Sequence, residues 1–292
     1  MCNACGCNTA PSERSLAYRP LAGETREVSV LKGLLDRNDA VAAHNRAHCD
    51  AHGVLALDLM SAPGAGKTAL LEATIDALRG EVRMAVIEGD LETENDARRI
   101  RAKGVPAVQI TTGGACHLDA QMVHEALHAL SLDGVDILFI ENVGNLVCPA
   151  GFDLGQHRDV ALLSVTEGDD KPAKYPVLFK GADLVVLSKA DLLPHVGDFE
   201  PSRAERCVRE LANPAPLLTL SARSGAGMQA WLDWLRNELG AQRARSASVR
   251  PNLQTAGGSA LAALPSGAGR GSAFGTTAEP PSPLVGEGWG EG

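Results

Sequence analysis

Val54-Leu55-Ala56-Leu57-Asp58-Leu59-Met60-Ser61-Ala62-Pro63-Gly64-Ala65-Gly66-Lys67-Thr68-Ala69-Leu70-Leu71-Glu72-Ala73 joins an apolar run, a Gly-rich turn, Gly-Lys-Thr and a helix-forming run without a break. A strand feeding such a loop, with a helix behind it, is the context of a phosphate-binding P-loop. The glycines let backbone N–H groups come close to a phosphate chain, and the helix turns its positive end toward the same anion. Gly64, Ala65, Gly66, Lys67 and Thr68 are therefore the expected phosphate contacts. Lys67 suits the β- and γ-phosphates, and the Thr68 hydroxyl suits Mg²⁺. The first position of the usual G-x-x-x-x-G-K-S/T pattern is Ser61 here.

Downstream, apolar runs alternate with helix-like stretches. Runs at 83–87, 105–110, 135–140, 160–165, 183–187 and 217–220 each end in a polar cluster. That alternation predicts an α/β fold, a doubly wound and mostly parallel sheet. Ligands bind such sheets at the carboxyl ends of the strands. The clusters Glu88-Gly89-Asp90, Thr112-Gly113-Gly114-Ala115-Cys116-His117, Glu141-Asn142-Val143-Gly144 and Ser188-Lys189-Ala190-Asp191 are thus expected to converge on one site. Asp90 and Glu141 are the acids best placed to meet Mg²⁺ or an attacking water, with Lys67 as the third catalytic group. Magnesium needs only one or two carboxylates beside the Thr68 hydroxyl, and Asp90 is the one expected to join it.

Asp191 stands where GTPases read the base. A carboxylate there accepts from guanine N1–H and the 2-amino group, and adenine has neither donor. Lys189 precedes it, Ser188 replaces the usual Asn, and Ser221-Ala222-Arg223 matches the loop that supports the base through backbone N–H groups. GTP is therefore expected over ATP.

The two ends differ from this middle. Residues 1–27 open Met1-Cys2-Asn3-Ala4-Cys5-Gly6-Cys7 and continue through polar residues, Pro11 and Pro20. Cys2, Cys5 and Cys7 have the spacing of metal ligands on a flexible arm, and thiolates with an amine nitrogen suit Ni²⁺ or Zn²⁺. Apolar positions at helical spacing follow over 28–52, where His44, His48 and His52 share one helical face, a pattern read as a solvated face. The GTPase domain is expected over 28–240. Residues 241–292, rich in Gly, Ala, Ser and Pro, are expected to be a disordered tail.

A net charge of −9 argues against nucleic-acid binding. No apolar run reaches the roughly 18 residues of a membrane span. The N-terminus lacks a basic-then-apolar signal pattern, which predicts a cytoplasmic protein whose seven cysteines are thiols or ligands.

Five segments carry a family resemblance: Ser-Ala-Pro-Gly-Ala-Gly-Lys-Thr from Ser61, Glu-Gly-Asp-Leu-Glu-Thr from Glu88, Thr-Thr-Gly-Gly-Ala-Cys-His-Leu from Thr111, Glu-Asn-Val-Gly-Asn-Leu-Val-Cys-Pro from Glu141 and Ser-Val-Thr-Glu-Gly-Asp-Asp-Lys-Pro from Ser164. Together with the N-terminal cysteines they resemble the nickel-incorporation GTPase of nickel–iron hydrogenase maturation, the HypB family, in which Ser61 is also usual. The resemblance implies a P-loop GTPase related to the signal-recognition-particle and MinD class. It implies nickel delivery to a hydrogenase large-subunit precursor, a zinc-binding nickel chaperone as partner and a GTP-dependent homodimer. It maps a nickel site onto Cys2, Cys5 and Cys7, and a second metal site onto Cys116, His117 and Cys148. A urease-type accessory GTPase is the rival, although it would lack the N-terminal cysteines and the Cys148 segment. A nickel-storage protein with a structural nucleotide site is another, although the long His-rich run of storage members is absent.

Overall fold

The computed structural model describes residues 26–91 and 94–256, so Cys2, Cys5, Cys7 and the tail beyond residue 256 lie outside the described residues. Seven parallel strands form one sheet in the order β3-β2-β4-β1-β5-β6-β7. They are β1 (Leu55–Ser61), β2 (Met84–Asp90), β3 (Ala107–Thr111), β4 (Ile137–Glu141), β5 (Arg158–Ser164), β6 (Leu184–Ser188) and β7 (Leu217–Thr219). The helices are α1 (Arg26–His52), α2 (Lys67–Ala77), α3 (Asn95–Ala102), α4 (Ala120–Ala129), α5 (Lys171–Lys174), α6 (Pro176–Gly181), α7 (Pro201–Glu210) and α8 (Met228–Ala256). This is the expected doubly wound P-loop architecture.

Period-two alternation explains why helices cover both faces. Leu55, Leu57 and Leu59 of β1 turn toward Leu70, Leu71 and Ile75 of α2 and Trp231 and Leu235 of α8. Ala56 turns the other way, into a cluster with Cys49 of α1 and Val123 and Leu127 of α4. On that same side, farther along the sheet, Phe179 of α6 and Val208 of α7 pack on Leu163 and Leu187. A strand buried on both faces reads as a continuous apolar run, which is what the sequence offers at each of these positions. Full burial of one such Leu is worth about 1.5–3 kcal/mol. Trp231 also satisfies its indole by donating from Nε1 to Thr74 Oγ1 at 2.8 Å.

Order continues past the boundary expected at residue 240. α8 runs on to Ala256, and the compact unit extends to Val249. The reason is polar. Gln242 is fully buried and donates to Asp50 Oδ1 at 2.7 Å, while Arg243 bridges to Asp136 at 2.8 Å. An apolar-periodicity argument does not register anchors of this kind. At the other end, α1 begins at Arg26, close to the boundary expected at 27–28. None of the described helices is long and apolar enough to cross a membrane.

Candidate nucleotide and metal sites

The strand order puts β1 between β4 and β5, so the loop leaving β1 emerges at the middle of the sheet. Gly64 (φ 73°) and Gly66 (φ 102°) take the left-handed conformations that this turn needs and that a Cβ disfavours. Lys67 opens α2, and its Nζ donates to Ser61 Oγ at 3.2 Å and lies 3.9 Å from Glu141 Oε1. Thr68 Oγ1 donates to Glu141 Oε1 at 2.9 Å. Ser61 at the atypical first position thus acts as a hydrogen-bond partner for the lysine.

A cavity of about 370 Å³ opens over this loop, lined by Gly64, Lys67, Thr68, Asp90, Glu141 and Gly144 among others. A second, of about 250 Å³, is lined by Ser188, Lys189, Asp191, Ser221 and Ala222. Gly66 and Ala69 line both, so the two cavities adjoin across the start of α2. In the second cavity Ser221 Oγ donates to Asp191 Oδ1 at 2.5 Å and fixes the plane of that carboxylate. Lys189 holds φ 59°, a conformation that non-glycine residues adopt at a cost and that concentrates at functional positions. Ser188, where Asn was expected, donates from Oγ to Ala65 O at 2.6 Å and so ties the end of β6 to the Gly-rich loop.

Glu88 is the residue that sequence reasoning missed. The parallel register of β2 and β4 sets Glu88 directly beside Glu141, and the two are 2% and 5% exposed. Burial and the neighbouring Glu141 push the Glu88 carboxyl up to about 10. Burial also raises Glu141, opposed by Lys67 and the Thr68 hydroxyl. The proton therefore sits on Glu88, the member without a cation. Glu88 Oε1 and Glu141 Oε2 are both buried without a hydrogen-bond partner. The orphaned Glu141 oxygen, the Thr68 hydroxyl and Asp90 make a hard-oxygen set that fits Mg²⁺.

The proton on Glu88 has a stability consequence. In the unfolded chain its carboxyl ionises near the ordinary glutamate value of about 4.3. Between that pH and about 10 the folded state holds a proton that the unfolded state has lost, so stability falls as pH rises through this window. Glu88→Gln keeps the shape and removes the ionisation. Denaturant melts of the nucleotide-free protein are expected to show Glu88→Gln gaining stability relative to the parent from pH 4 to pH 8. A difference that does not change with pH would contradict the assignment.

Cys116, His117 and Cys148 meet at the far end of this loop cluster, with ligand atoms all within 4.8 Å of one another. The two sulfurs are 3.1 Å apart, and His117 Nδ1 is 3.8 Å from Cys116 Sγ. Two thiols and an imidazole suit zinc, nickel or copper better than magnesium or calcium. The Cys116 side chain is exposed, and the cap of α4 is Asp119, which accepts from Met122 N at 2.8 Å. Neither core packing nor helix capping therefore accounts for this trio. His117 is steadied by stacking on Phe152, with centroids 4.1 Å apart.

The segment after β4 links the two sites. Asn142 Oδ1 accepts from Leu118 N at 3.2 Å, and Asn145 Nδ2 donates to Cys116 O at 3.2 Å. Gly144 lies so close to the Gly-rich loop that a Cβ there would stand 2.8 Å from Pro63 Cα. One short run, Glu141 to Cys148, thus carries a carboxylate beside Lys67, a backbone contact to the loop and a thiol of the trio.

Residues 56–218 match the CobW/HypB/UreG nucleotide-binding domain. The hydrogenase maturation factor HypB of Azotobacter chroococcum is 50% identical over 240 residues, which span 82% of this chain and 78% of that protein. This chain belongs to the HypB family of hydrogenase maturation factors. The solved structure of HypB from Helicobacter pylori in complex with nickel is similar at 40% identity, with a TM-score of 0.68 over 71% of this chain and 97% of that one. HypB from Archaeoglobus fulgidus is similar at 38% identity, with a TM-score of 0.66 over 70% of this chain and all of that one. The family resemblance read from the five segments therefore holds, and with it the P-loop fold.

Proposed function

We propose that this HypB-family chain is a slow, Mg²⁺-dependent GTPase that delivers nickel during nickel–iron hydrogenase maturation. One observation carries the nucleotide half: the phosphate-loop cavity and the Asp191 cavity adjoin, sharing Gly66 and Ala69. Lys67 binds the β- and γ-phosphates, and Gly64, Ala65 and Gly66 offer backbone N–H groups to them. Thr68 and Asp90 hold Mg²⁺, with the Glu88–Glu141 pair behind them. When bound, the ion neutralises charge on the phosphates. Glu141 orients Thr68 and Lys67 and lies at the end of β4, where an attacking water would be held. Asp191 reads the guanine edge, Lys189 packs against the base, and Ser221 and Ala222 support it.

The nickel half is supported by the Cys116–His117–Cys148 trio and by the relative solved with nickel. Nickel is the cargo, and zinc is the competing occupant of the same donors. The Cys2, Cys5 and Cys7 arm, residues 1–27, is a second place for the cargo, beside a GTPase domain that starts near residue 28. Three donors from one chain leave a four-coordinate ion one ligand short. A second copy can complete it across a two-fold axis, which is the role given to GTP-dependent dimerisation. A zinc-binding nickel chaperone supplies the ion in the cytoplasm, and a hydrogenase large-subunit precursor receives it.

Steady-state hydrolysis tests the reading. GTP should turn over at about 10⁻⁴–10⁻² per second, the range without an externally supplied arginine. ATP should not compete. Asp191→Ala should weaken guanine nucleotide binding by about 1.5–3 kcal/mol, the worth of hydrogen bonds to a charged group. Asp191→Asn should shift preference toward xanthine nucleotides. Equal binding of ATP and GTP by the unmodified protein would overturn the assignment.

A further inference from the structure

Five histidines gather where α1 packs on α4, away from the nucleotide groove. His44 and His48 of α1 are half-buried there, so this face is not the solvated one expected from sequence. The His44 and His124 rings lie 5.1 Å apart edge-to-face, and His48 and His52 lie 4.6 Å apart. On α4 the run His124-Glu125-Ala126-Leu127-His128 places two imidazoles four residues apart on one helical face, the H-E-x-x-H arrangement that binds zinc.

The hydrogen bonds around His124 prepare it as a ligand. Asn45 is buried, and its Nδ2 donates to Ala120 O and Leu154 O, which leaves Asn45 Oδ1 as an acceptor. His124 Nδ1 lies 3.1 Å from that oxygen and must therefore carry the hydrogen. The lone pair of neutral His124 is then on Nε2. An imidazole whose other nitrogen is anchored to a fixed acceptor is the usual outer-shell pattern of a metal-bound histidine. His124 Nε2 and His128 Nε2 are 3.0 Å apart. Two nitrogens bound to one tetrahedral zinc at about 2.0–2.1 Å stand about 3.3 Å apart, so the pair is close to spanning an ion. Burial first, and neighbouring imidazoles after it, hold His48 and His124 below the usual histidine range.

We infer that His124 and His128 form the nitrogen pair of a binding site for a divalent transition-metal ion, zinc or nickel, onto which a third imidazole from His44 or His48 of α1 closes when the ion binds, because among the described residues only Cys116, His117 and Cys148 already bring three ligand atoms together. It is separate from the Cys116–His117–Cys148 trio. Glu125 is exposed and accepts from Gln121 Nε2 at 3.0 Å, and the proposal is of a binding site alone.

The test uses the full chain with Cys2, Cys5, Cys7, Cys116 and Cys148 all replaced by Ser, titrated with zinc against a chromogenic chelator. One zinc equivalent should remain. His124→Ala and His128→Ala should each weaken it by at least about ten-fold, and the His44→Ala/His48→Ala pair should do the same. His128 is exposed, so His128→Ala should leave the thermal melt unchanged and separates lost binding from lost folding. No stoichiometric zinc in the five-Ser protein, or zinc affinity indifferent to His124→Ala and His128→Ala, would overturn the site. Indifference to the His44→Ala/His48→Ala pair would overturn the assignment of the third ligand.

Discussion

Lys67→Ala is expected to reduce GTP hydrolysis by about 10²–10³-fold, the range for losing one preorganised group that meets charge developing in the transition state. Lys67 is 7% exposed, held by Ser61 Oγ, and close enough to Glu141 to offset that buried carboxylate. Its ammonium is therefore fixed before any nucleotide arrives and needs no reorganisation during reaction. In the proposed role the lysine also contacts the ground-state phosphates, so GTP affinity should fall alongside kcat. Without the cation, the Glu88–Glu141 pair loses the positive charge that opposes its raised titration, so the pair should titrate still higher. Single-turnover hydrolysis and nucleotide binding, measured on the same variant, check both effects. Hydrolysis within a few-fold of the parent would remove Lys67 from the catalytic set.

The second large effect expected is on metal affinity. The trio straddles two loops, with Cys116 and His117 after β3 and Cys148 after β4. The second loop touches Pro63 through Gly144 and begins at Glu141, which is bonded to Thr68. The phosphate cavity and Cys148 thus share one segment of chain. GTPases commonly order or release the loop in this position as the γ-phosphate comes and goes. Couplings of this kind are typically about 1–3 kcal/mol, or roughly 5–150-fold, and the metal must alter nucleotide affinity by the same factor.

Most of the nucleotide groove was legible in the sequence because its parts are local. The Gly-rich loop, Gly-Lys-Thr and Ser-Lys-Ala-Asp each sit at a strand end, and a parallel sheet brings strand ends together. Glu88 was not legible. It opens the polar cluster after the 83–87 run, and only the β2–β4 register reveals that it stands beside Glu141. Ser188, which replaces the usual Asn, holds the Gly-rich loop through its hydrogen bond to Ala65 O, a contact that no local pattern announces. The α1 histidines were read on one helix alone, and their partners on α4 lie some eighty positions away in sequence, like Asn45 and His124 (79). α8 outran its expected end because buried Gln242, a polar anchor, leaves no trace in a hydrophobic pattern.

The measurement that tests the account most directly is nickel affinity in two nucleotide states. The protein should carry Cys2, Cys5, Cys7, His124 and His128 replaced by Ala, so that the trio is read without the arm or the histidine cluster. Nickel is titrated in the presence of GDP and, separately, of a non-hydrolysable GTP analogue. The account predicts affinities that differ by at least about five-fold between the two states. Cys116→Ala and Cys148→Ala should each abolish that difference together with most of the binding. Identical affinities in the two states, or affinities that survive both substitutions, would contradict it.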